Sequence, residues 1–204
     1  LIGVGLAAAG GGLAARRSLA RRHRPSPGRI LTGLALAWIM LVAVGAAIYL
    51  LTGTIGRADD AIVEAAAGFS TTSVTTVDPT ELTVPMHLFR ASTQWVGGLL
   101  GLIIGVVTLP LILRGALPGG QVAHHAAEQI APTVLIGRRR ILAIYATTTA
   151  VLGLGYLATG LGTRDSLVHA LTTASTGGFS TRADSFAGFG AGPRVVATIG
   201  MLVA

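Results

Sequence analysis

Two short stretches of the sequence are rich in hydroxyl side chains, although both lie between long apolar segments. The first is residues 65–76, AAAGFSTTSVTT, and the second is residues 170–181, ALTTASTGGFST. Hydroxyl groups and backbone carbonyls are hard oxygen ligands, which suit a partly dehydrated alkali cation. The two stretches therefore indicate a place where such a cation could bind.

The two stretches are related by a fixed offset of 105 positions, without a gap. At this offset Ser70 corresponds to Ser175, whereas Ser73 corresponds to Gly178. A polar motif that recurs inside an apolar chain indicates an internal repeat. Two unrelated Ser/Thr-rich loops are the alternative interpretation.

The composition is that of a membrane protein. The chain is 51% hydrophobic and only 11% charged, whereas soluble domains carry about 25% charged residues. The net charge of +7 comes from arginine alone, since the chain has no lysine. In a membrane protein this charge sets the orientation and does not indicate nucleic-acid binding. The chain has no cysteine, so it has no disulfide framework.

Long apolar segments predict membrane-spanning helices at residues 30–52, 86–113 and 141–162, and another helix begins at Arg194. Residues 59–69 favour a short helix, which Asp59 or Asp60 could cap. A second short helix is expected to begin at Arg164-Asp165. Eleven residues cannot cross a hydrocarbon layer of about 30 Å, so each short helix is predicted to enter the membrane and turn back.

The predicted fold is all-α and integral to the membrane, with repeated units of helix, re-entrant pore helix, polar loop and helix. The first unit is predicted at residues 30–113 and a second, truncated unit at residues 141–204. Residues 1–29 are expected to be the end of a preceding transmembrane helix and an arginine-rich cytoplasmic loop. Residues 114–140 are expected to be a cytoplasmic linker, because ten of the fifteen arginines fall on that side.

Further expectations concern the helices beside the first loop. Gly97, Gly101 and Gly105 share one helical face, which predicts close packing against another helix. Arg90, in the first turns of the same helix, is expected to point outward to the headgroup region. Trp38 and Tyr49 are candidate interfacial anchors, with packing as the alternative for Trp38, which lies rather deep in its span.

The sequence offers little for other kinds of site. His124, His125 and Glu128 could be a metal site, but two neighbouring histidines cannot share one helical face, and a solvated linker is the alternative. His169 is a lone candidate for an intramembrane enzyme and is most simply part of the second pore helix. Neither an HExxH motif nor a Ser/His set lies within the spans, so the chain is not expected to be an enzyme.

The motifs resemble the Trk/Ktr/HKT superfamily of potassium transporters, in particular bacterial TrkH-type subunits. The resemblance lies in GFSTTSVT at residues 68–75, in Arg90, Gln94, Trp95 and the Gly-Gly pair at 97–98, and in TGGFST at residues 176–181. It covers about residues 16–204. The combination is specific, although each motif alone is weak.

The resemblance implies that the polar loops are filter loops, in four helix–pore–helix units around one pore, as in potassium channels, with the third and fourth units beyond Ala204. It also implies a lipid-embedded homodimer in the bacterial inner membrane, with a cytosolic nucleotide-binding regulatory subunit of the TrkA type and no nucleic-acid partner. Potassium or sodium is the expected transported ion, and no other cofactor is expected.

The resemblance also implies which residues form the selectivity filter. The expected ion-binding residues are Thr71, Thr72, Ser73, Val74, Thr75, Thr176, Gly177, Gly178, Phe179 and Ser180. Among these, Thr71, Thr72, Thr176 and Gly177 are expected to hold K⁺ or Na⁺. Ser73 stands where the family usually has glycine, as in some plant relatives that favour sodium. The alternative function is a generic secondary permease with polar re-entrant loops, which predicts no matched repeat.

Overall fold

The computed structural model describes residues 27–116 and 121–204, and this part of the chain is helical, without strands. The helices are α1 Pro27–Leu51, α2 Ala58–Phe69, α3 Val84–Ala116, α4 Gln121–Ala158, α5 Thr163–Ala174 and α6 Ala191–Val203. Two short 3₁₀ helices are Pro79–Glu81 and Ser185–Gly188. The chain divides into two compact units, Leu1–Leu36 and Ala37–Ala204. All contacts described below lie within the second unit.

Two of the expectations fall on residues outside the described part. The helix end and the arginine-rich loop expected at residues 1–29 lie almost entirely outside it. The side chains of His124, His125 and Glu128 also lie outside it. Among the described residues, no group of three or more His, Cys, Asp or Glu side chains could hold a metal ion.

Two described helices are long and apolar enough to cross a membrane. They are Gly28–Leu51, with a mean hydropathy of 2.5, and Arg139–Ala158, with a mean hydropathy of 1.7. These segments coincide closely with the spans predicted at residues 30–52 and 141–162. Many of their large apolar side chains are exposed, including Ile39, Met40 and Leu154. Exposed apolar side chains are expected on helix faces that contact lipid.

Two short helices, α2 and α5, contain 12 residues each. At 1.5 Å per residue each is about 18 Å long, which is too short to cross a hydrocarbon layer of about 30 Å. The observed α2 agrees with the short helix predicted at residues 59–69. Both helices end within the hydroxyl-rich stretches, at Phe69 and Ala174.

The beginning of α2 differs from the expectation that Asp59 or Asp60 caps it. Arg57 is the N-cap residue, and its side chain makes no capping hydrogen bond. Arg57 instead pairs with Asp59 and Asp60, at N–O distances of 2.5 and 3.3 Å. Both aspartates lie in the first turn, where a negative charge favours the helix dipole. The Arg57 guanidinium holds the pKa of the Asp59 carboxyl below its usual value.

Each short helix packs through alanines against longer helices. Ala61 and Ala65 of α2 are buried with Ala46 and Tyr49 of α1, and Ala170 and Ala174 of α5 are buried with Leu152, Tyr156 and Ala197. Small side chains permit close helix packing in a membrane. Tyr49 is fully buried, with its ring 5.1 Å from that of Phe89. It is therefore a packing residue and not an interfacial anchor.

Candidate functional site

Two loops follow the short helices: the first loop, residues 70–77, and the second loop, residues 175–182. Three backbone hydrogen bonds close each helix at matching positions. In the first loop, the N–H groups of Ser70, Thr71 and Thr72 donate to the carbonyls of Ala66, Gly68 and Ala67, respectively. In the second loop, the N–H groups of Ser175, Thr176 and Gly177 donate to the carbonyls of Leu171, Thr173 and Thr172, respectively. The last two bonds of each set form a Schellman motif. The two loops therefore begin with the same backbone turn at the ends of their helices.

The turn holds a threonine in a left-handed conformation in both loops. Thr71 has φ of 54° and Thr176 has φ of 53°. A β-branched residue is unusual there, and the left-handed region costs about 1–2 kcal/mol for a residue with a side chain. Backbone strain of this kind concentrates at functional sites. Residue type alone does not predict it, because glycine is the residue expected at this position of the motif.

Two positions later the loops differ. Gly178 has φ of 85°, in the left-handed region that glycine readily adopts, whereas Ser73 is not among the residues with positive φ. A Cβ atom added to Gly178 would lie 3.3 Å from the Cβ of Ser73. The two positions therefore lie close together, but their backbone conformations differ.

Cavities lie on both sides of the paired loops. The first cavity, of about 650 Å³, reaches Thr71 and Thr176 and includes Ser70, Ser175 and the glycines of α3. The second cavity, of about 480 Å³, is lined by five of the expected site residues, namely Ser73, Thr75, Gly178, Phe179 and Ser180. Thr72, Val74 and Gly177 line neither of these two cavities. The loops thus separate two spaces that small ions or water could fill.

One carboxylate borders the second cavity. Asp78 lies among its lining residues and accepts hydrogen bonds from the Thr80 hydroxyl at 2.7 Å and the Thr80 N–H at 2.8 Å. These bonds hold the pKa of Asp78 below its usual value. Asp78 therefore places a negative charge beside this cavity, whose lining also includes the positive side chains of Arg90 and Arg182.

Arg90 lies behind the loops and does not point outward. Its side chain is 2% exposed and forms an ion pair with the fully buried Glu64, with an Nε–Oε1 distance of 2.6 Å. The expectation of a headgroup position is wrong, because the partner carboxylate in α2 neutralises the charge inside the protein. Glu64 also accepts hydrogen bonds from the first loop, from the Thr76 N–H at 2.9 Å and the Thr75 hydroxyl at 3.0 Å.

Gln94 lies one turn further along α3 and is fully buried. Its amide nitrogen donates to the Thr72 carbonyl at 2.9 Å, and its amide oxygen accepts from the Phe179 N–H at 3.1 Å. One side chain thus bonds to the backbone of both loops. A Cβ atom on Gly177 would collide with the Gln94 amide, so the glycine is required by close approach.

Two glycines of α3 let both loops approach this helix. A Cβ atom on Gly97 would overlap the backbone of Phe69 at the end of α2, and one on Gly98 would lie 2.9 Å from Ser175 Cβ. The predicted small-residue face is therefore only partly a packing face. Nothing lies within 4 Å of a Cβ atom on Gly101 or Gly105, and both residues line the first cavity.

His169 is fully buried on α5, and neither ring nitrogen has a hydrogen-bond partner. Its ring lies 4.6 Å from that of Phe186 and 5.1 Å from that of Phe189. It lines neither cavity, and its surroundings are those of a core residue.

The fold and the site together define a class of membrane protein. In this class two short helices, here α2 and α5, place two oxygen-rich loops against one longer helix, here α3. No family model matches the chain. Over 183 residues it is 30% identical to the Trk system potassium uptake protein TrkH of Halomonas elongata, a match covering 83% of this chain and 37% of that protein. It is 27% identical over 157 residues to TrkH of Escherichia coli K12, covering 72% and 32%.

A solved structure shows the same fold. The potassium transporter TrkH from Vibrio parahaemolyticus aligns with a TM-score of 0.72 at 23% identity, over 90% of this chain and 37% of that one. The chain spans just over a third of the length of the first of these relatives. In sequence and in fold, the chain therefore resembles the TrkH-type membrane subunits of Trk potassium uptake systems.

Proposed function

We propose that the chain forms part of a path for potassium across the cytoplasmic membrane of a bacterium, with the two loops as its selectivity filter. The observation that carries this proposal is the matched pair of strained turns, Thr71 and Thr176, between two cavities. The names of the relatives, which are potassium uptake proteins, support potassium as the ion. Similarity to transporters also agrees with a protein that is not an enzyme.

The chemistry of the loops suits a cation that gives up part of its water shell. Each loop supplies hydroxyl and carbonyl oxygens, which are hard ligands. Both short helices end at the loops, so the negative ends of their dipoles point toward the ion. No charged side chain is found among the described residues that line the first cavity, so an ion there meets neutral oxygens and apolar walls.

We assign the ion ligands to the backbone of Thr71, Thr72, Thr176 and Gly177, with Ser73 and Gly178 facing the second cavity. The Thr72 carbonyl already accepts one hydrogen bond from Gln94. A carbonyl oxygen has two lone pairs, so it can still contribute to an ion. Sodium is the second candidate ion, because Ser73 replaces the glycine expected from the family.

A generic secondary permease remains the alternative function. It requires polar loops at membrane depth but not two loops with the same hydrogen bonds at a constant offset. The matched turns at Thr71 and Thr176 therefore favour the filter. From the family resemblance we also propose a homodimer with a cytosolic nucleotide-binding regulatory subunit.

The direct test is ion flux from the full-length protein reconstituted in liposomes. We expect potassium flux well above that of protein-free liposomes, and at least as large as sodium flux under the same gradient. Potassium and sodium should be measured separately with the same preparation. Flux of neither cation would contradict the proposed function, whereas flux tied obligatorily to a second solute would favour the permease.

Replacing Ser73 with glycine is expected to raise the potassium-to-sodium permeability ratio. The serine lies opposite Gly178 without sharing its left-handed backbone, so the two loops present unequal oxygens. A potassium ion that exchanges its shell for carbonyls loses more from this inequality than a sodium ion that keeps some water. A difference of about 1.4 kcal/mol is a tenfold change in relative affinity.

The permeability ratio should be measured before and after Ser73→Gly, with Ser70→Gly as the matched control in the same loop. Ser70 donates its hydroxyl to the Ala66 carbonyl at 2.6 Å within its own helix end, and it lines the first cavity and not the second cavity, where Ser73 and Gly178 lie. A ratio that is already high with Ser73 and does not rise with glycine would contradict the role of Ser73. The proposed path for potassium would still stand after that result.

A further inference from the structure

Arg90 and Gln94 occupy one face of α3, four positions apart, and both side chains are buried. Residues at this spacing are neighbours on a helix surface. The face they share is turned toward the two loops, since every side-chain hydrogen bond described for either residue ends on a loop or on Glu64. The central helix therefore contacts both loops through polar groups as well as through glycine.

Arg90 contacts the two loops at corresponding positions. One guanidinium nitrogen donates to the Thr75 hydroxyl at 2.9 Å, and another donates to the Ser180 carbonyl at 3.4 Å. Thr75 and Ser180 are related by the offset of 105 positions that relates the loops. The guanidinium carbon also lies 3.9 Å from the centre of the Phe179 ring, within cation–π range.

Glu64 fixes the direction of this guanidinium. The Nε–Oε1 bond of 2.6 Å leaves the two terminal nitrogens to point one to each loop. A guanidinium is planar, and its donors have a fixed geometry that an ammonium group lacks. The ion pair therefore acts as a rigid spacer between the first and second loops.

Gln94 adds a second connection of the same kind. Its amide bonds to the Thr72 carbonyl and to the Phe179 N–H, so it uses its donor on one loop and its acceptor on the other. An amide is also planar, so a shift of one loop relative to the other would break one of these bonds. Neither Arg90 nor Gln94 lines the first cavity, whereas Arg90 borders the second.

We infer that Arg90, oriented by Glu64, and Gln94 are positioning residues that set the distance between the two loops, and that this distance determines which cation passes. The inference rests on the proposed function. Glu64 and Gln94 line neither cavity. These residues act through the two loops, whose oxygens must match the size of the dehydrated cation.

The test uses two conservative variants of the full-length protein in liposomes. Arg90→Lys keeps the charge opposite Glu64 but cannot reach both loops. Gln94→Glu keeps the acceptor for Phe179 but loses the donor to Thr72. We expect each variant to pass potassium with a permeability ratio over sodium that is lowered about threefold to tenfold. Arg57→Gln, which removes an exposed ion pair at the start of α2, is the control and should leave the ratio unchanged.

The outcomes separate this inference from the proposed function. Absence of cation flux in the unaltered protein would overturn the function itself. Normal flux there, with an unchanged ratio in both variants, would overturn the positioning role alone. Size-exclusion profiles establish whether each variant folds. If Arg90→Lys does not fold, the potassium-to-sodium permeability ratio of Gln94→Glu decides the test. If neither variant folds, the two residues are needed for stability, and the inference is overturned.

Discussion

Gly97→Ala is expected to leave little correctly folded protein and to abolish potassium flux. A Cβ atom at this position would lie 2.7 Å from the carbonyl carbon and 2.9 Å from the Cα of Phe69. These are backbone atoms, so no side chain can rotate to make room. Helix α3 would have to move away from the end of α2, which would also withdraw Arg90 and Gln94 from the loops. Overpacking of this kind costs about 1–3 kcal/mol and occasionally more.

The measurement is the melting temperature of the detergent-solubilised protein, followed by size-exclusion chromatography. Gly101→Ala is a matched control, since it lies one turn further along the same helix and has nothing within 4 Å of a new Cβ. Alanine is the better helix former there, so this control should melt at the same temperature or slightly higher. Equal melting temperatures for the two variants would contradict the close contact between α3 and α2.

Gly178→Ala is expected to give a protein that reaches the membrane but has lost potassium selectivity. Gly178 has φ of 85°, where a residue with a side chain costs about 1–2 kcal/mol. The new methyl group would also press on Ser73 across the gap between the loops. Relaxing either strain turns a carbonyl away from its present direction, and flux becomes small or unselective.

Gly160→Ala separates backbone strain from filter geometry. Gly160 has the same φ of 85° and nothing within 4 Å of a new Cβ, but it lies in the turn after α4, away from the loops. Both variants should therefore lose a similar amount of stability, whereas only Gly178→Ala should change the ratio of potassium to sodium flux. Unaltered selectivity in Gly178→Ala would remove this residue from the filter.

Local patterns in the sequence were sufficient for two of the spans and for the first short helix. The spans predicted at residues 30–52 and 141–162 and the short helix at residues 59–69 depend on nearby residues, and the structure agrees with them. The site behind the loops depends on distant residues. Arg90 pairs with Glu64, 26 positions earlier, and no periodicity connects the two.

The strained threonines were missed for a different reason. Propensity assigns a left-handed position to glycine, so Thr71 and Thr176 gave no signal of their own. The offset of 105 positions was the available clue, because it aligns these two residues with each other. Gly97 and Gly101 show the reverse problem: the same spacing predicted the same contact for both, but only Gly97 meets another helix.

The Arg90–Glu64 pair also bears on how the chain is assembled during synthesis. Ribosomes add about 5–20 residues per second, so the 90 positions between Arg90 and Ser180 take roughly 5 to 18 s. Glu64 has already been made when Arg90 emerges, and the two charges can neutralise each other before the second loop exists. A lone arginine in the bilayer is costly. The first short helix and α3 can therefore enter the membrane without a bare charge, and Ser180 and Phe179 join a partner that is already oriented.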